Sequence, residues 1–444
     1  MVHIPYNYIR KRIKKGGEYM KKKHISLFFL FIFLFSYLTL SNELSVMIYF
    51  AGNEHNMELG QNQLEFLQKA GNLSDAKFSY YFDDWSGYTW KYMGDGPPVR
   101  VQKAIENDNS SLKPGLYINS GSGLNFTPTA SLETNAGRGK NLETFLSKSM
   151  ESFNAAKNIL IISGTGSGMD DVDWVTASAE YISGHQINTY MMKTVAKFAE
   201  TSNKKIDAVV FDSGFVLDIE AAYDASNSGV RTILGLEENY AWTGFPYSQF
   251  LVSLFTNESM DVQENIKQAS AEIFKSYRGV TDSRVMLFNL NTEDMDKIAE
   301  GLAEFSTNAA SNPANAALLH ESVNNTFRYF SQDYAVDMPE LLQRIGQSSS
   351  SGAGSASSLL ETLSNSSIIL IDGFTNDKDT RPNYSGIAIN FPVYRPAEGD
   401  SKGTPFINNP FNSNMRVRYE RSRFYEKTRW SEMLESYYSH IQKM

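Results

Sequence analysis

Residues 159–168 read Ile-Leu-Ile-Ile-Ser-Gly-Thr-Gly-Ser-Gly, and 206–218 read Ile-Asp-Ala-Val-Val-Phe-Asp-Ser-Gly-Phe-Val-Leu-Asp. Each stretch starts as an apolar run and breaks into small residues where a side chain could meet solvent. Among the reactive groups where the runs break are the carboxylate of Asp212 and the hydroxyls of Thr165 and Ser213, with Gly214 beside them. A hydroxyl acts as a nucleophile only when a base takes its proton. The nearest imidazole in sequence is His185, 20 positions past Thr165. Ser213 therefore reads either as a nucleophile served by His185 or as a small residue in a tight turn. Asp212 reads either as an acidic pocket residue or as the cap of the turn that ends its strand.

Gly164-Thr-Gly-Ser-Gly168 after an apolar run invites a dinucleotide reading. That fingerprint needs a third glycine at position 169, which is Met169. The carboxylates that follow, Asp170, Asp171 and Asp173, would repel a pyrophosphate. They offer oxygen ligands of the kind Ca²⁺ takes, though no EF-hand loop surrounds them. Solvated loop carboxylates are the other reading.

The elements that must hold these residues are legible. The two apolar runs are buried strands, and 187–199 between them has helical spacing. Strand, helix, strand makes the two strands parallel neighbours. Both turns then fall at the carboxyl edge of one sheet, where open α/β folds bind ligands. Strands are predicted at 44–51, 78–82, 88–93, 115–118, 230–236, 285–290, 368–370 and 387–391. Residues 119–139 read as a loop. Helices are predicted at 142–153, 215–225, 247–255, 262–277, 293–305, 338–345 and 424–441. The Ser/Gly/Ala-rich stretch 347–358 reads as a flexible linker. The alternation predicts a three-layer α/β/α domain around a mostly parallel sheet.

The two turns resemble those of the clostripain-like (C11) cysteine peptidases, a caspase-like family. There the first strand ends in an Asn-His-Gly-Ser-Gly type turn and the second in a Phe-Asp-Ala-Cys type turn. Thr165 and Gly214 are 49 positions apart, the interval such peptidases keep between His and Cys. Gly235-Leu-Glu-Glu-Asn239 with Gly244-Phe-Pro-Tyr247, Gly386-Ile-Ala-Ile-Asn-Phe-Pro392 and Ser45-Val-Met-Ile-Tyr-Phe-Ala-Gly52 are similar to further family segments. The resemblance implies a caspase-like fold. It places the family's His on Thr165 and its Cys on Gly214. It also implies that Asp212, with Glu237 and Glu238, lines an acidic pocket for a basic peptide side chain. The whole chain contains no cysteine, so no shift of alignment restores a thiolate. The resemblance thus implies a peptidase fold without its chemistry, used to bind a peptide or protein. The alternatives are a hydrolase with its nucleophile moved to Ser213, or a structural surface protein.

Composition sets the outer bounds. The 444 residues are 41% hydrophobic and 13% aromatic, enough for a sizeable core and unlike a disordered chain. A formal net charge of −9 argues against nucleic-acid partners. Absence of Cys excludes disulfides and thiolate metal sites. Lys21-Lys-Lys23 precedes an apolar run at 25–40, the pattern of an export signal. Residues 1–41 are therefore expected to be a targeting segment, with translation starting at Met20. It is either cleaved, leaving a periplasmic or secreted protein, or kept as a membrane anchor. Residues 42–444 are expected to form the clostripain-like domain.

Overall fold

The computed structural model describes residues 42–50, 63, 65–67, 73, 75–82, 88–91, 99–102, 115–120, 124–127, 139–153, 155–163, 170–173, 182–183, 192–213, 218–236, 245–278, 284–312, 314–328, 335–374, 387–391 and 423–441. Five strands form its parallel centre: β1 (Asn42–Phe50), β2 (Lys77–Phe82), β7 (Ala155–Ser163), β10 (Ala208–Asp212) and β11 (Thr232–Leu236). They lie in the order β2-β1-β7-β10-β11. Each neighbouring pair is parallel. Antiparallel strands extend both sides. β5 (Gly115–Ser120) and β6 (Leu124–Thr127) add beyond β2, and β12 (Arg284–Asn289) and β14 (Ile369–Phe374) add beyond β11. Only β5 and β12 run against the other seven strands, so the sheet is mostly parallel.

Strand alternation sorts the side chains into two cores. On one face Met47, Tyr49, Leu160, Ile162, Val209, Phe211 and Ile233 are buried in one cluster. The helices over that face are α1 (Gly139–Ser152), α2 (Met192–Ser202), α3 (Ile219–Ser226), α6 (Thr292–Ala310), α7 (Asn315–Asn324), α8 (Met338–Gly346), α9 (Ala353–Asn365), α10 (Arg423–Thr428) and α11 (Trp430–Ile441). The other face buries Val46, Ile48, Ile159, Ile161, Ala208, Val210 and Leu234 beneath α4 (Tyr247–Thr256) and α5 (Val262–Tyr277). This is the expected caspase-like three-layer α/β/α sandwich.

Polar contacts pin the strand register at the amino end of β7 and β10. The Asn158 backbone N–H donates to Asp207 Oδ2 at 2.9 Å, and Ser45 Oγ donates to Asn158 Oδ1 at 2.8 Å. All three residues are buried, so a slipped register would leave their polar groups unpaired.

Several expectations need correction. The stretch 347–358 is no flexible linker. It contains a turn and the first half of α9, whose Ser355, Ala356, Leu359 and Leu363 are buried. Its small residues permit close helix packing. A Cβ at Gly301 of α6 would come 2.9 Å from Leu359 Cδ1, and one at Gly346 of α8 would come 2.6 Å from Ser357 Oγ. The strand predicted at 88–93 is β3 (Tyr88–Lys91), paired only with β4 (Val99–Gln102) outside the main sheet. The strand predicted at 387–391 is β15 (Ala388–Asn390), which pairs with β13 (Ala335–Asp337) outside it as well. The 119–139 loop contains β6. The closing helix is two helices, because Arg429 turns left-handed at φ 54°. Thr428 Oγ1 then accepts from the Trp430 N–H at 3.3 Å, satisfying a donor of the second helix. The targeting segment expected at 1–41 lies outside the described residues. Among the described residues no helix is long and apolar enough to cross a membrane.

Candidate functional site

Parallel pairing brings four strand ends into line. Phe82 registers with Phe50, Phe50 with Ser163, and Ser163 with Asp212. The strand order reverses between β1 and β7, so this edge lies at the switch point where such sheets hold ligands. The chain leaves β7 toward 164–165, β10 toward 214 and β11 toward 237–238. The three segments singled out in the sequence thus begin from three adjacent strands at one edge. Thr165, Gly214, His185, Glu237 and Glu238 themselves lie outside the described residues.

Asp212 is the acid at the centre of this edge, and it is 5% exposed. Ser163 Oγ donates to its Oδ2 at 2.6 Å. The Tyr247 hydroxyl donates to the same oxygen, also at 2.6 Å. Strand parity explains the set. Ile159, Ile161 and Ser163 share a face with Ala208, Val210 and Asp212, and α4 covers that face, with Tyr247 at its first position. Tyr80, fully buried on β2, packs edge-on to Tyr247 with ring centroids 6.3 Å apart. Desolvation raises the Asp212 carboxyl to about 6, against the two hydroxyl donors that lower it. Burial, followed by the Asp212 charge, pushes both Tyr80 and Tyr247 well above the usual phenol range. The arrangement is an acid that titrates near neutrality, held by hydroxyls that remain donors.

Beside Tyr247, the hydroxyl on Asp212 is that of Ser163, which is not among the candidate residues that the sequence singles out. Ser213 follows the end of β10 and is 1% exposed. The readable signal was Ser163 itself, which ends its apolar run one position before the small-residue turn, as Asp212 ends its own. Asp170, Asp171 and Asp173 lie on β8 (Asp170–Asp173), a short strand paired at Asp173 with Ile182 of β9 (Ile182–Ser183). Their side chains lie outside the described residues.

The model of the clostripain family matches residues 108–437, about three quarters of the chain. The chain belongs to the clostripain family. Solved clostripain-family structures share its fold. One is an inactive zymogen C11 protease from Parabacteroides distasonis, at TM-score 0.52 and 13% identity, covering 87% of this chain and 97% of that one. Another is a secreted C11 cysteine protease from Bacteroides thetaiotaomicron in complex with an irreversible peptide inhibitor, at TM-score 0.55 and 11% identity, covering 88% and 100%. A secreted C11 cysteine protease from Bacteroides thetaiotaomicron, iotapain, matches at TM-score 0.55 and 13% identity, covering 88% and 99%. No curated protein matches the chain significantly. Unlike a cysteine protease, this clostripain-family chain has no cysteine anywhere in its 444 residues.

Proposed function

We propose that this protein is an exported clostripain-family homologue without peptidase activity, which binds a peptide or protein ligand through a basic side chain. The observation that carries the reading is the cysteine-free chain, with Gly214 where the family resemblance puts the nucleophile. Glycine has no side chain to attack a carbonyl, and the Thr165 hydroxyl is no base near neutral pH. The acid two positions before Gly214 persists at the sheet edge, and a cation brought to it would favour its charged form. The secreted relative from Bacteroides thetaiotaomicron and the Lys-rich, then apolar, start of the chain both support export.

The test pairs turnover with binding. Purified protein is expected to leave Arg- and Lys-containing peptides uncut, and to bind a fluorescent Lys- or Arg-bearing peptide. Protonation of Asp212 competes with a cationic ligand. Affinity should therefore fall below pH 6, approaching tenfold per pH unit, and should be lost in Asp212→Asn. Absence of binding by any basic peptide would favour a structural surface role. Turnover that persists with thiol reagents and disappears in Ser213→Ala would establish a relocated hydrolase. Disappearance in Ser163→Ala instead would give the nucleophile role to the hydroxyl that already touches Asp212.

A further inference from the structure

The two carboxylate oxygens of Asp212 are not equivalent. Oδ2 accepts from Ser163 Oγ and from the Tyr247 hydroxyl, both at 2.6 Å. A carboxylate oxygen offers about two lone-pair sites, so Oδ2 is fully used. Oδ1 accepts no hydrogen bond among the described residues. It is also not one of the unpartnered oxygens sealed from solvent, as Glu220 Oε2 is. Oδ1 is therefore the oxygen left for a ligand.

The two donors on Oδ2 are fixed in place. Ser163 ends β7, is buried, and registers directly with Asp212. Tyr247 opens α4 and is buried too. Its ring packs on Phe245 with centroids 5.0 Å apart and on Tyr80 at 6.3 Å. Burial, then the Asp212 charge, push the Tyr247 phenol well above its usual range, so its hydroxyl stays a donor. Neither hydroxyl can turn away without leaving a buried polar group unpaired.

A basic side chain that pairs with Asp212 thus meets a single acceptor. A lysine ammonium is a compact point charge, and one oxygen suits it. An arginine guanidinium is a planar fork that matches both oxygens of a carboxylate at once. With Oδ2 filled, the fork loses its second bond. The N–H that would have made that bond is carried to a dry sheet edge without an acceptor, which costs more than lacking it altogether.

We propose that Ser163 and Tyr247, by filling Asp212 Oδ2, set this site to take a lysine ammonium in preference to an arginine guanidinium; this rests on the binding role given to Asp212 above. Both are positioning residues, acting on the ligand through the acid.

The experiment uses two fluorescent, N-acetylated peptides that differ only in carrying Lys or Arg, so that the side chain is the one cation. Their affinities are measured at pH 8 for wild type, Ser163→Ala and Tyr247→Phe. Wild type should bind the Lys peptide roughly tenfold more tightly, the worth of one charge-assisted hydrogen bond. Each variant frees a site on Oδ2, so the Arg peptide should gain on the Lys peptide by about that factor. A higher Asp212 midpoint, or a general loosening of the fold, weakens both peptides alike and cancels in the ratio. Wild type that binds the Arg peptide as tightly as the Lys peptide overturns the preference. A ratio unchanged in both variants overturns the role of the two hydroxyls. Either result leaves the binding reading standing, whereas binding of neither peptide by wild type overturns the two together. Should one variant fail to fold, the other decides, since each frees its own site. A trimethyl-lysine peptide tests wild type alone, because it keeps the charge and has no N–H. It should lose most of the Lys advantage, and affinity equal to that of the Lys peptide overturns the proposal.

Discussion

Asp212 lies in an environment that disfavours its own charge. Its carboxyl titrates at about 6 in the fold against 3.8 ordinarily. The sign follows from linkage. A group with a raised folded pKa favours the fold below its unfolded pKa, and that share is lost as pH climbs from about 4 to about 6. The two-unit shift corresponds to roughly 3 kcal/mol at pH 8. Asn in its place keeps an oxygen for the Ser163 and Tyr247 donors and carries no charge. Asp212→Asn is therefore expected to stabilise the protein at pH 8, by up to about 3 kcal/mol, and to change little at pH 4. Urea unfolding at the two pH values checks this; destabilisation at pH 8 would contradict it. Tyr247→Phe works in the opposite direction. It removes a donor to the charged form, costs about 1.5–3 kcal/mol at pH 8, and moves the Asp212 midpoint above 6 in a carboxyl NMR titration. An acid that is expensive to keep charged, at the sheet edge where open α/β folds hold ligands, is what the proposed binding role calls for.

At the scale of elements, small residues set how closely the helices approach. Gly301 ordinarily costs α6 stability relative to a residue with a side chain. Here the space is filled by Leu359, so overpacking outweighs propensity. Gly301→Val should destabilise by about 1–3 kcal/mol. Gly354, on the outside of α9, gives the contrast, since a methyl group there would meet nothing within 4 Å. Gly354→Ala should stabilise by about 0.5 kcal/mol. Chemical denaturation of both variants checks the pair, and equal signs would refute the packing argument. This region also shows where the sequence was ambiguous. Ser, Gly and Ala are chosen for flexible linkers and for tight helix contacts alike, so composition at 347–358 could not separate them. β4 and β6 escaped for a different reason, being four-residue strands in polar stretches without a full period of alternation. By contrast, the helix at 262–277 and the runs that became β7 and β10 were plain, because each holds a long apolar pattern of its own. Ser163 was out of reach of pattern reading. Its partner is 49 positions away, and only strand register brings the two together.

At the scale of the whole molecule, the order β2-β1-β7-β10-β11 makes β7 and β10 direct neighbours with their ends in register. The family resemblance assigns His and Cys positions two residues beyond each of those ends, at Thr165 and Gly214. The double variant Thr165→His with Gly214→Cys tests whether the scaffold can still carry the chemistry. An imidazole beside a thiol lowers the thiol pKa and supplies a proton acceptor. The double variant is expected to cleave Arg- or Lys-containing peptides weakly, and an alkylating thiol reagent should abolish the cleavage. Each single variant should be inert, since neither a lone thiol nor a lone imidazole completes the pair. Circular dichroism and unfolding of all three variants separate lost folding from lost chemistry. A folded double variant whose new cysteine alkylates no faster than a free thiol would mean that the two positions do not meet. The family mapping of this edge onto Thr165 and Gly214 would then be wrong, although the family membership, which rests on residues 108–437 as a whole, would stand.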